Sequence, residues 1–267
     1  MELFFIPQLN YLRGMIKIVI LGGGNIAYHL TSQLLKNKTA RVVQVYNRSI
    51  EKIQYLDDKT SITDKLTELK DADVYIIAVT DDAISSVSSE LNFKNKLVVH
   101  TSGSVAIDEL KSNSNKGVFY LLQSFSKEQK IDLFQVPICI EASTEKDLEL
   151  LEVLAKSISK KYYKINSKQR KSLHVAAVFV NNFVNHLYYI GNEICEENKI
   201  PFNILQPLIQ ETANKIEALS PFEAQTGPAK RNDVKTIKKH KAMLAHNQHE
   251  IYTLLTKSIT KTYGKKL

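Results

Sequence analysis

The spacing of apolar residues changes partway along this chain. From Met15 to about Asn166, short apolar runs alternate with stretches of helical period, and from Ser167 onward only the 3.6-residue period of helices remains. The first run, Lys17 to Leu21, meets three consecutive glycines, Gly22 to Gly24, and then a helix to about Leu35 with Ile26, Leu30 and Leu34 on one face. Further strands are predicted at Arg41 to Tyr46, Asp73 to Val79, Leu97 to His100, Val118 to Leu122, Val136 to Ala142 and Lys161 to Ile165. The run Asp73 to Val79, DVYIIAV, is almost continuously apolar, as a parallel strand buried on both faces requires. Helices are predicted near Ala83, capped by Thr80-Asp81-Asp82, and from about Lys146 to Ile158. In the second part, Lys168 to Asn198 predicts one long helical segment whose weak point is Gly191. Pro201 ends it, and a helix over Asn203 to Ala218 follows. Pro221 and the Thr226-Gly227-Pro228 turn interrupt the pattern again. Asp233 can cap a helix to about His246, and a last helix spans roughly His249 to Lys261.

The glycines turn this pattern into a candidate site. Gly22 can supply the tight turn, Gly24 can let the backbone approach a pyrophosphate, and Ala27 can let the helix pack closely on the strand. The amides of Asn25 and Ile26 open that helix, where the free N–H groups and the helix dipole favour an anion. A strand-to-helix turn with no ligand is the plain alternative. The pattern predicts an α/β fold: a Rossmann-type doubly wound, mostly parallel sheet followed by an all-helical C-terminal domain. The expected segments are an extension or misassigned start at 1–14, a dinucleotide-binding domain at 15–166 and a helical domain at 167–267. In such a sheet, ligands gather at the carboxyl ends of the strands. Val79 and Thr80 therefore belong to the expected cofactor crevice, as does the Thr101-Ser102-Gly103-Ser104 cluster. About 20 residues past the glycines, an NAD site usually carries an acid on the ribose hydroxyl. This chain has Asn47, Arg48 and Ser49 after its second strand. A guanidinium and a hydroxyl there suit the 2′-phosphate of NADP(H), with a solvated surface charge as the alternative.

Composition narrows the remaining choices. The 267 residues are 43% hydrophobic and 24% charged, ordinary values for a globular protein. No run approaches the roughly 18 apolar residues of a membrane span. The two cysteines, Cys139 and Cys195, have no metal-type spacing and fit buried thiols in a reducing, cytoplasmic compartment. No metal site is expected. The net charge of +8 is scattered, densest near the C-terminus, and a polyanionic cofactor accounts for it without nucleic acid.

The stretches ILGGGNIA, VYNRS, HTSGS, LLQSFSK, LHVAAVFVNNF and TGPAKRNDV together resemble the family of Rossmann-like proteins with a helical domain of unknown function, DUF2520. That family is related to pyrroline-5-carboxylate reductases, coenzyme F420-dependent NADP reductases and β-hydroxyacid dehydrogenases. The resemblance implies a nicotinamide-binding N-terminal domain and a helical domain that dimerises and closes the site. In the related β-hydroxyacid dehydrogenases a catalytic lysine stands three residues before an Asn-Asn pair. Here the pair is Asn181-Asn182 and that position is Val178, so their chemistry does not carry over.

His174, Val178, Asn181, Asn182 and Asn185 recur at helical spacing and are predicted to share one face. Asparagines are poor interior helix residues, so this face is either a polar wall opposite the nicotinamide or a hydrogen-bonded seam between helices or subunits. Histidine suits proton donation to a carbonyl or imine near neutral pH. His174, Asn182 and Ser102 are the candidate catalytic residues. Asn181 is a candidate for substrate binding. By the resemblance, the loop carrying Thr226 and Arg231 reaches toward the cleft, where Arg231 can hold a carboxylate. The expected function is an NADP(H)-dependent oxidoreductase acting on a small carbonyl or imine as a homodimer formed through the helical domain. The rival is an NADP(H)-binding sensor or scaffold without turnover, which the missing lysine favours.

Overall fold

The computed structural model describes residues 14–263. The expected N-terminal extension therefore lies, apart from Gly14, outside the described residues. Contacts divide the chain into two compact units, one ending at Val178 and one beginning at Phe179.

The first unit is built on an eight-stranded sheet of order β3-β2-β1-β4-β5-β6-β7-β8. Its strands are β1 (Ile16–Leu21), β2 (Ala40–Tyr46), β3 (Ser61–Thr63), β4 (Val74–Ile77), β5 (Leu97–His100), β6 (Asn115–Leu121), β7 (Ile138–Ala142) and β8 (Tyr162–Lys164). The first six run parallel in the 3-2-1-4-5-6 order of a doubly wound dinucleotide-binding sheet. The β6–β7 pair is antiparallel and β7–β8 parallel, so the last two strands extend the sheet in the reverse direction.

Both faces of the central strands are covered, which is why their sequences read as continuous apolar runs. Ile18 and Ile20 join one core with Ala27, Leu30 and Leu34 of helix α1 (Asn25–Leu34) and Leu151, Leu154 and Ile158 of α3 (Glu145–Ile158). Val19 and Leu21 point the other way, into a core with Ile84 of α2 (Asp81–Ser89) and Leu110. Alternate residues of one strand thus serve opposite layers.

Helix α4 (Ser167–Ala177) closes the first unit. Asn166 begins it through a reciprocal capping box with Gln169. A π turn at Val178–Asn182 follows, and then α5 (Phe183–Glu197). The long helix expected over Lys168 to Asn198 is thus interrupted at the π turn, while Gly191 lies inside α5 undisturbed. The second unit continues with α6 (Gln206–Ala218), α7 (Pro221–Ala224), α8 (Val234–Met243) and α9 (His246–Tyr263). Asp233 caps α8 through the Thr236 amide and hydroxyl, as its sequence position suggested. That helix stops at Met243 and α9 begins earlier than the expected His249.

Candidate functional site

The glycine loop sits where the strand order reverses, between β1 and β4. Gly22 has φ +141°, and a Cβ there would lie 2.1 Å from the Ala78 carbonyl oxygen at the end of β4. Only glycine allows the two strand ends to approach so closely. Gly24 differs: its φ of −79° suits any residue, and nothing lies within 4 Å of the place a Cβ would take. The space in front of α1 is open. No side chain caps α1, and its first backbone bond runs from the Tyr28 amide to the Gly24 carbonyl at 3.0 Å. The amides of Asn25, Ile26 and Ala27 precede that bond and have no intrahelical partner. A bare helix N-terminus beside open space is an anion site by geometry and dipole. Ala27 is buried against the sheet, as the motif requires.

The other predicted cofactor residues stand at the same end of the sheet. After β2, Asn47 Nδ2 donates to the Ser49 carbonyl at 2.8 Å and its side chain packs on Gly23, joining the first two loops. Arg48 is exposed and forms no ion pair among the described residues. Val79 and Thr80 follow β4. Thr80 occupies the N-cap position of α2 without a side-chain bond, so the expected Thr80-Asp81-Asp82 cap is not formed, and α2 begins at Asp81.

The loop after β5 is held from within. Ser102 Oγ accepts the amides of Ser104 (3.1 Å) and Val105 (3.0 Å), while Ser104 Oγ donates to Asp81. The hydroxyl of Ser102 thus shapes the turn. His100, the last residue of β5, is fully buried, and its Nδ1 accepts the Ser102 amide at 3.2 Å. Burial first, and the Arg170 guanidinium second, push the His100 pKa down to about 4, so its ring is neutral near pH 7.

His174 belongs to this loop cluster too. Its Nδ1 lies 3.2 Å from the Tyr120 hydroxyl on β6, and both rings crowd against Gly103. Helix α4 is fixed there by Arg170, which is fully buried, pairs with Glu141 on β7 and donates to the Val105 carbonyl at 2.6 Å. Sequence reasoning missed Tyr120, which reads as one more apolar strand position, and Arg170, which reads as helix surface. The contacts of the polar loop following β6 were not predicted either. Asn25 Nδ2 donates to the Phe125 carbonyl and His29 Nε2 to that of Ser126, both at 2.8 Å, latching the QSFSK segment onto α1.

The remaining candidates lie in the second unit. Asn181 and Asn182 are exposed on the π turn, whose wider spacing breaks the 3.6-residue period from His174 to Asn185. The single helical face expected from that period is therefore not formed. Thr226 and Arg231 are exposed on a turn made by Gly227 at φ +102°.

Two family profiles match the chain. One, described as NADP oxidoreductase coenzyme F420-dependent, covers residues 17–103, and the other, the domain of unknown function DUF2520, covers 136–259. Among solved structures, a candidate NADP oxidoreductase from Bacteroides fragilis is 38% identical over 92% of this chain and 98% of its own, with a TM-score of 0.83. A Thermotoga maritima protein shares 21% identity over 92% and 98%, at TM-score 0.71. A reductive aminase from Aspergillus terreus, solved with NADPH and ethyl levulinate, shares 14% over 94% and 96%, at TM-score 0.69. The last two are likenesses of fold. No protein among those of curated function matches the chain.

Proposed function

Because the chain belongs to the Rossmann-like family that carries a DUF2520 domain, we propose that it is an NADP(H)-dependent oxidoreductase acting on a small carbonyl or imine. The observation that carries this reading is the uncapped N-terminus of α1 facing the open space at Gly24. The amides of Asn25 and Ile26 would hold the pyrophosphate, and Arg48 and Ser49 the 2′-phosphate. Bound there, the cofactor supplies a hydride. The chain's own part is to orient the substrate and supply a proton, and His174 is the group for that second task. Asn182 is proposed to assist His174 in catalysis, and Asn181, Thr226 and Arg231 to bind the substrate, Arg231 through any carboxylate it carries.

A homodimer through the helical unit belongs to the same reading. That unit leaves large apolar side chains uncovered, among them Phe179 at 63%, Val180 at 75%, Leu208 at 63%, Met243 at 80% and Leu254 at 69% exposure. A second copy offers the same surface and can cover it symmetrically. Both cysteines are free and buried, which suits the reducing cytoplasm. No helix among the described residues is long and apolar enough to cross a membrane.

Val178 favours one rival, a protein that binds NADP(H) without turnover, because it stands where related dehydrogenases carry their lysine. NADPH consumption with a panel of small aldehydes, ketones and imines decides between them. The oxidoreductase reading expects turnover by the wild type. It also expects a loss of roughly 10² or more in His174→Gln at unchanged NADPH affinity. Tight NADPH binding with no consumption across the panel supports the rival.

A further inference from the structure

Tyr120 and His174 come from different elements, β6 and α4, yet meet edge to face with ring centroids 6.1 Å apart and an interplanar angle of 73°. Three features keep them together. The Tyr120 hydroxyl lies 3.2 Å from His174 Nδ1. A Cβ at Gly103 would fall 2.7 Å from both Nδ1 and Tyr120 Cζ, so a glycine is needed there for room alone. One turn before His174, Arg170 is locked to Glu141, and the Ser167 amide and hydroxyl donate to the same carboxylate at 2.9 and 2.8 Å. The helix cannot slide, and the ring has a fixed neighbour on one nitrogen. His174 Nε2 has no hydrogen-bond partner among the described residues.

We propose that Tyr120 is a positioning residue for His174: its oxygen accepts the Nδ1–H, leaving Nε2 as the nitrogen that exchanges a proton with substrate. The inference rests on the oxidoreductase reading. In the reducing direction, imidazolium Nε2 would give its proton to the substrate oxygen or nitrogen, and the cofactor, when bound, would supply the hydride to the adjacent carbon. The ring is left neutral, with Nδ1–H still bonded to Tyr120, and solvent restores the Nε2 proton. The other ionisable groups that act on Tyr120 are Cys139 on β7, Arg170 on α4 and Asp81 on α2. Burial first, then Cys139, raises the Tyr120 pKa, so the phenol keeps its proton through neutral pH.

Carbethoxylation by diethyl pyrocarbonate tests this without a known substrate, because the reagent attacks the neutral imidazole and mass spectrometry maps each modified histidine. His174 should react at Nε2. NADP⁺ should protect it, whereas the adenosine bisphosphate half of the cofactor, which lacks nicotinamide, should not. Loss of the Tyr120 oxygen frees Nδ1, so Tyr120→Phe should turn the single His174 ring tautomer seen by 15N NMR into a mixture. Gly103→Ala should do the same by forcing the rings apart. Absence of NADP(H) binding to the wild type would remove the oxidoreductase reading and this inference together. Binding without protection, an unreactive His174, or an unchanged His174 tautomer in Tyr120→Phe would overturn this inference alone.

Discussion

His100 should make this protein lose stability in mild acid by a calculable amount. The imidazole is fully buried at the end of β5 and spends Nδ1 on the Ser102 amide. Its pKa falls from 6.5 to about 4, through burial and then through the Arg170 charge. The unfolded chain takes up this proton below pH 6.5, whereas the folded chain resists until about pH 4. Stability from this group is therefore complete above pH 6.5 and drains away as pH falls toward 4. Each pH unit across that window is worth about 1.4 kcal/mol, which brings the loss to about 3 kcal/mol. His100→Asn keeps an oxygen to accept the Ser102 amide and removes the titration. Urea unfolding between pH 7 and 4 should show the wild type losing about 3 kcal/mol more than the variant, since carboxylates common to both cancel in the difference. Parallel pH profiles would mean that the ring takes up its proton in the folded state and that the burial argument is wrong.

Three further outcomes follow from individual contacts. Gly22→Ala places a Cβ 2.1 Å from the Ala78 oxygen at φ +141°, and thermal unfolding should show a loss of about 2 kcal/mol or more. Arg170→Met strands the Glu141 carboxylate and should cost about 3–5 kcal/mol in urea unfolding. Arg170→Met with Glu141→Gln should recover much of that, and no recovery would refute the buried-pair account. Arg48→Ala should shrink a roughly ten- to hundredfold preference for NADPH over NADH while sparing NADH affinity, because the exposed guanidinium binds only the extra phosphate. Added salt should erode the same preference, and equal wild-type affinities would refute the assignment.

The sheet was legible where burial on both faces wrote itself as continuous apolar runs, as in β1, β4 and β5. The strand β3 was not, because Ser61-Ile62-Thr63 pairs on one side only and has no room for a pattern. The glycine motif was legible because each of its positions answers a separate local demand: φ and contact at Gly22, open space at Gly24, burial at Ala27. The π turn left no mark, since Val178 to Asn182 suits an α-helix equally well. Arg170 and Tyr120 escaped for a tertiary reason. The guanidinium is buried by a carboxylate 29 positions earlier and the phenol is engaged by an imidazole 54 positions later, separations that local periodicity cannot register.

NADPH titration of the wild type and Gly24→Val tests the central claim most directly. Valine fits the free protein, since nothing lies within 4 Å of the Cβ position and the backbone there is ordinary. The same side chain fills the space a pyrophosphate needs in front of α1. The account predicts saturable NADPH binding by the wild type, and none by a variant that melts at the wild-type temperature. Undiminished binding by Gly24→Val, or no binding by the wild type, would contradict it.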